Sequence, residues 1–222
     1  MFLHFGQPKN ISDLNQVQFK VNQIDRKDVP IVLIDNERFE YMETLRLHGF
    51  NITQLNDLEE IQNVLAYEIV LCDIKGIGKK FKSRFEGAHI MKEIHRRYPF
   101  KIIYAYTGYT YDPSFNEYLK IADSVLKKDI EHDEWIEALD DAIGLSKDPS
   151  RRWRKIRNYL LEREVTMFNL TKLENEYVTT LLDGGDISKF PSERATKGLP
   201  PEFKTILSEF TTSIVFKLAT GI

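Results

Sequence analysis

Between Val29 and Gly144 the chain alternates short, unbroken apolar runs with amphipathic stretches. Ile31-Val32-Leu33-Ile34, Ile69-Val70-Leu71-Cys72 and Ile102-Ile103-Tyr104-Ala105-Tyr106 are rich in β-branched or aromatic residues and too short for helices, which predicts buried strands. Phe50-Asn51-Ile52-Thr53 and residues 123–127 predict two more. The spacing predicts helices over 38–48, stopped by Gly49, over 87–97 with Ala88, Met91, Ile94 and His95 on one face, after Asp112-Pro113, and over 132–144. Asp57-Leu58-Glu59-Glu60 has the spacing of a capping box and predicts a short helix with Asp57 as N-cap. Strands alternating with helices imply a parallel α/β sheet with right-handed crossovers. Apolar runs without alternation imply burial on both faces.

Beyond Asp148-Pro149 the pattern is helical only. Asp148 is a candidate N-cap with Pro149 at the first helical position. Trp153, Ile156, Leu160 and Met167 recur at near-helical spacing. Thr171-Lys172-Leu173-Glu174 matches a second capping box, and Gly184-Gly185 predicts a helix stop. Residues 186–199 predict a polar loop. Pro200-Pro201 precedes a last helix with Phe203, Ile206, Leu207, Phe210, Ile214 and Leu218 on one side. The chain thus divides into an N-terminal extension (1–28), an α/β domain (29–146) and a small all-helical domain (147–222). In the extension, Gln18-Phe19-Lys20-Val21 alternates weakly, as an edge strand would. The segment could also contact the tail.

Composition narrows the classes. With 31 basic and 34 acidic residues in 222, the chain is not a general polyanion binder. A single cysteine, Cys72, excludes an internal disulfide framework and a cysteine-based zinc cluster, and its apolar strand suggests a small buried hydrophobe. The N-terminus does not read as a signal peptide, and no apolar run approaches the roughly 18 residues of a membrane span. The expectation is a soluble, cytoplasmic protein.

Four polar positions stand at predicted strand ends: Asp35 with Asn36, Asp73, Thr107 and Lys128. In open parallel sheets, ligands bind beyond the carboxyl ends of the strands. Carboxylates, a hydroxyl and an ammonium delivered there suit Mg²⁺ and a phosphoryl group. The segments Ile-Val-Leu-Ile-Asp-Asn-Glu (31–37), Ile-Val-Leu-Cys-Asp-Ile-Lys (69–75), Ile-Ile-Tyr-Ala-Tyr-Thr-Gly (102–108) and Ala-Asp-Ser-Val-Leu-Lys-Lys (122–128), in this order, resemble the receiver domain of two-component response regulators. The resemblance covers residues 30–144, roughly half the chain.

It implies a five-stranded, doubly wound, flavodoxin- or CheY-like sheet of order 2-1-3-4-5. It implies Asp73 as phosphoacceptor, with enzymatic character limited to self-catalysed phosphoryl uptake and loss. Mg²⁺ would be held by Asp35, Asn36, Asp73 and the backbone carbonyl of Lys75. Lys128 would pair with one phosphoryl oxygen and Thr107 would hydrogen-bond another. The implied partner is a histidine kinase or phosphotransfer protein. The chain departs from the family pattern where Asn36 replaces an acid, Val125 an aromatic and Asp129 a proline. The loop after Asp73 is also long, with the matching glycine at Gly87 and with Lys79, Lys80, Lys82 and Arg84 among the extra residues.

Other features read more plainly. The basic loop 75–84 could grip phosphate or nucleic acid, but the reading preferred is a solvated face. Arg151-Arg152-Trp153-Arg154-Lys155-Ile156-Arg157 is the better nucleic-acid candidate, because it mixes cations with an aromatic. Residues 1–149 carry 19 basic and 25 acidic residues, and 150–222 carry 12 and 9. A helical dimerisation or docking domain remains the preferred reading of the tail. His4, His48, His89, His95 and His132 have no metal-binding spacing. Asp183-Gly184-Gly185-Asp186 reads as a helix stop, and Tyr104, Tyr106, Tyr109 and Tyr111 as sheet-edge packing. Two readings outside the phosphorylation switch stay open: a pseudo-receiver scaffold, and a DNA-binding regulator acting through 150–222.

Overall fold

The computed structural model describes residues 8–16, 24–108 and 113–213. Contacts group them into two compact units: residues 24–147, and residues 8–16 together with 148–213.

The first unit holds five parallel strands: β1 (Pro30–Ile34), β2 (Asn51–Leu55), β3 (Ile69–Asp73), β4 (Ile102–Thr107) and β5 (Ser124–Lys127), in the order β2-β1-β3-β4-β5. This is the α/β sheet expected from the sequence. Register partners include Ile34 with Cys72, Asp73 with Tyr106, and Thr107 with Lys127, so the strands end nearly level. Helices α1 (Met42–Leu47), α2 (Glu86–Arg97), α3 (Asn116–Leu119) and α4 (His132–Lys147) connect or follow the strands. Successive strand residues face opposite ways. Cys72 reaches the Gly87 carbonyl at the start of α2 (3.5 Å), whereas Tyr106, one residue past Cys72's register partner Ala105, meets Trp135 of α4 with ring centroids 5.8 Å apart. Helices α2 and α4 therefore cover opposite faces. Burial of β1 and β3 is complete or nearly so, as unbroken apolar runs require. The edge strand β5 differs: Leu126 is partly covered while Val125 is 47% exposed.

Several local expectations change. Helix α1 starts at Met42 rather than near 38, because Gln54 ties down the bent segment before it by donating to the Asp35 carbonyl (3.0 Å) and the Glu37 carbonyl (2.5 Å). Asp57 does not cap a helix. The short 3₁₀ turn there runs Ile61–Val64, with Asn63 Oδ1 accepting from the Glu60 N–H at 2.8 Å. Asp57 instead spends its carboxylate on a distant loop, accepting from Gly78 N (2.6 Å) and Lys79 N (3.2 Å). The helix expected after Asp112-Pro113 is present as a 3₁₀ turn, Pro113–Phe115, leading into α3. Tyr109 and Tyr111 lie outside the described residues, as do His4, Gln18-Phe19-Lys20-Val21, Ile214 and Leu218.

In the second unit, α5 (Pro149–Glu162), α6 (Met167–Leu182) and α7 (Pro201–Thr212) enclose a separate core. Asp148 caps α5 by accepting from Ser150 N (2.8 Å) and Arg151 N (3.2 Å), and Gly184 ends α6 with φ of +63°. The second capping-box expectation fails. Thr166 caps α6, while Thr171 lies inside it and bonds back to the Met167 carbonyl (2.9 Å). Met167 opens α6 and is 55% exposed, not part of the core. A 3₁₀ turn, Ile11–Gln16, packs against α5 and α6, with Ile11 N donating to Glu174 Oε1 at 3.2 Å and Leu14 buried. That part of the N-terminal extension contacts the tail.

Part of the basic run on α5 is drawn into this core, while Arg151 and Arg154 stay exposed. Arg152 is 1% exposed, donates to Ser213 Oγ (2.7 Å) and lies over the Phe210 ring. Trp153 stacks on Tyr177 with centroids 4.9 Å apart and donates to Glu174 (2.8 Å), which also pairs with Arg157. Arg151 pairs with Asp148. Arg152 and Trp153, which helped to suggest nucleic acid, are thus structural. No helix among the described residues is long and apolar enough to cross a membrane.

Candidate functional site

Asp35, Asp73 and Lys128 come together at the carboxyl edge of the sheet, each placed by the strand before it. Asp35 follows β1, with its N–H tied to the Leu55 carbonyl (3.0 Å). Asp73 ends β3. Lys128 follows β5, its own N–H held by the Thr107 carbonyl (3.1 Å). The Lys128 ammonium lies 2.7 Å from Asp73 Oδ2 and 2.9 Å from Asp35 Oδ2, bridging the two carboxylates. Glu37 Oε2 is a third, more distant partner at 3.5 Å. Asp129, the expected competitor for the lysine, is not among its partners in the described residues.

Both aspartates are nearly closed to solvent, at 3% and 4% exposure, while Lys128 keeps a partly open path. Burial pushes the Asp73 carboxyl above its ordinary range. The hydrogen bond and charge of Lys128 and the Lys75 N–H (3.3 Å) pull it back, and the Asp35 charge adds to the rise. Lys128 shows the opposite balance. Desolvation works to lower its pKa, but hydrogen bonds and charge from Asp73 and Asp35 outweigh it and hold the ammonium above its usual value.

A cleft of about 240 Å³ opens beside these groups, lined by Asn36, Glu37, Asp73, Lys75, Gly76, Gly108 and Lys128. Asn36 is exposed, and its Oδ1 lies so close to Gly76 that a Cβ there would approach within 2.4 Å. Thr107 ends β4, half-buried, immediately before the cleft residue Gly108, and is not itself among the residues lining the cleft. The long loop after Asp73 is held by carboxylates: Asp57 takes the N–H groups of Gly78 and Lys79, and Glu86 takes that of Gly76 (2.6 Å). Ile77 is fully buried beneath it, while Lys79, Lys80, Lys82 and Arg84 are exposed. Gly87 is required by close approach, since a Cβ would fall 1.8 Å from the Asp73 carbonyl oxygen.

Tyr106 belongs to this site and was not legible as such from the sequence. It is buried on β4, donates its phenol O–H to Asp35 Oδ2, and carries Lys128 Nζ 5.1 Å from its ring centroid. Burial first, then the hydrogen bond and charge of Asp35, push the phenol well above its ordinary pKa, so it remains a donor. An aromatic inside an apolar run gives no sign of where its hydroxyl ends.

The donor set is made of hard oxygens, from two carboxylates and an amide with a backbone carbonyl two residues after Asp73. That fits Mg²⁺, which commonly takes one or two carboxylates and leaves the rest to water and phosphate. It is a sparse set: among the described residues no cluster of three or more His, Cys, Asp or Glu side chains is placed to hold a metal ion.

No family model matches the chain, and no curated protein does. Solved structures do match over about half of it. A CheY-like response regulator receiver domain protein from Methanospirillum hungatei aligns at 16% identity and a TM-score of 0.45, over 54% of this chain and 96% of that one. A response regulator from Thermotoga maritima aligns at 18% and 0.43, over 52% and 98%. The BeF3-activated N-terminal receiver domain of Klebsiella pneumoniae RstA aligns at 16% and 0.44, over 51% and 97%. The α/β half of the chain is thus similar to solved receiver domains, and the helical remainder has no named counterpart.

Proposed function

We propose that the α/β unit is a phosphorylation switch: Asp73 accepts a phosphoryl group from the phosphohistidine of a histidine kinase or phosphotransfer protein. The observation that carries this reading is the bridge from Lys128 to Asp35 and Asp73 at the strand ends. Such a bridge keeps a buried carboxylate ionised and sets a cation where phosphoryl charge would gather. In the transfer, an Asp73 oxygen attacks phosphorus, the P–O bond forms as the P–N bond breaks, and the leaving imidazole takes its proton from solvent. Such a transfer depends on positioning and charge stabilisation. Asp35, Asn36, Asp73 and the Lys75 carbonyl would hold Mg²⁺, which when bound would neutralise the phosphoryl oxygens. Lys128 would leave Asp35 to pair with the phosphoryl group, and Thr107 would donate its hydroxyl to another of its oxygens. The exposed cations of the loop after Asp73 would favour an acidic donor surface. The change at Asp73 would alter protein contacts of the helical tail.

A second reading is a scaffold that keeps the fold without the chemistry. Asn36 in place of an acid and the Lys128 cation already occupying both carboxylates favour it. Incubation with phosphoramidate and Mg²⁺, read by intact mass, separates the two. Uptake by the wild type and none by Asp73→Asn supports the switch, and uptake by neither supports the scaffold.

A further inference from the structure

We infer that Tyr106 sets the cation affinity of this centre by competing with a divalent metal for Asp35. The inference rests on the switch reading. A carboxylate offers about four acceptor positions. In Asp35, Oδ2 accepts from the Tyr106 hydroxyl and from Lys128 at 2.9 Å, while Oδ1 accepts from the Glu37 N–H at 2.8 Å. Three positions are therefore turned to protons, and a metal must displace a donor or take what remains.

The donors differ in how easily they leave. Lys128 has a long, flexible stem, a partly open path to solvent, and a second carboxylate to retain it. Tyr106 has none of these. It is 1% exposed on a strand paired on both sides, and its ring is held edge-on by Trp135. Among the described residues its O–H donates to Asp35 alone, although both residues also line a second cleft of about 240 Å³ beside Tyr41 and Asp129. A hydrogen bond to the charged form also makes a carboxylate a poorer base, and so a poorer ligand. An apolar residue would fill the strand position equally well, so the hydroxyl is the part that acts on Asp35. Together with the neutral amide of Asn36, it biases the centre toward its lysine-bridged state, which a cation enters only at raised concentration.

Calorimetric titration with Mg²⁺ alone tests this on the full chain, comparing wild type with Tyr106→Phe. The melting temperature in chelator checks the fold, and Tyr106→Leu makes the same deletion should the Phe variant melt early. The expected result is Mg²⁺ binding tightened by roughly tenfold or more, the scale of one hydrogen bond to a charged group. A loosened site would weaken binding, so the direction separates competition from damage. Unchanged or weaker Mg²⁺ affinity, with beryllofluoride binding intact in the wild type, would overturn this inference alone. No Mg²⁺ binding by either protein, with no beryllofluoride binding by the wild type, would overturn it together with the switch.

Discussion

Lys128 holds Asp73 by a 2.7 Å contact between ammonium and carboxylate, yet the Asp73 carboxyl still stands above its ordinary pKa because burial outweighs the partner. Ionised Asp73 is therefore a cost to the folded state. An acid whose native pKa exceeds its unfolded one loses stability as pH rises through the interval between the two values. Asp73→Asn removes that cost and should melt higher than wild type at neutral pH. Its advantage should shrink as pH falls through the window just above the usual carboxylate range, where the wild-type group takes up its proton. Thermal melts from mildly acidic to neutral pH check this; a variant less stable at every pH would show that the ion pair outweighs the burial.

Gly87 has no room for a side chain, since a Cβ there meets backbone, the Asp73 carbonyl oxygen, at 1.8 Å. Gly87→Ala should cost about 1–3 kcal/mol in chemical denaturation, as overpacking against backbone does. It should also weaken ligand binding at Asp73, because the relief must come from moving either α2 or the end of β3. Gly144, inside α4 with nothing within 4 Å of its Cβ position, is the control: Gly144→Ala should leave ligand binding unchanged and stabilise the fold by about 0.5–1 kcal/mol.

Asp57 fixes the loop after Asp73 through the N–H groups of Gly78 and Lys79. Asp57→Ala leaves those donors without their acceptor and should cost about 1–3 kcal/mol. The loop carries Lys79, Lys80, Lys82 and Arg84 on its outside, so native-state trypsin cleavage within it should accelerate. Unchanged cleavage would mean that the buried Ile77 holds the loop by itself.

Asn36 lines the same cleft as Asp73 but brings an amide where an acid would raise the negative charge. Asn36→Asp should tighten Mg²⁺ binding in calorimetry, because affinity for hard cations rises with ligand charge. Equal affinity would place residue 36 outside the metal's reach.

The strand ends were legible because burial of a parallel strand demands an unbroken apolar run, and the first polar residue after it must sit at the sheet's edge. Asp35, Asp73 and Thr107 follow from that rule alone, whereas Lys128, after the partly exposed strand Ser124–Lys127, was legible only through the resemblance. What stayed hidden depends on contacts far apart in sequence. Asp57 looks like a helix cap until the loop at Gly78 is seen to lie on it. Tyr106 looks like packing until its hydroxyl meets Asp35, 71 residues away. The run 151–157 looks like a cationic surface, but the helical period turns Arg152 and Trp153 inward, where Ser213, Tyr177 and Glu174 take up their polar and aromatic groups. Thr171 carries a capping motif in the interior of a helix, where Thr166 had already supplied the cap.

The central claim is that Asp73, bridged by Lys128, accepts a phosphoryl group. Its most direct test is calorimetric binding of beryllofluoride, which mimics the acyl phosphate, with and without Mg²⁺ and with Asp73→Asn as control. The account predicts Mg²⁺-dependent binding by the wild type and none by the variant. No binding by a folded wild type, or equal binding by Asp73→Asn, would contradict it.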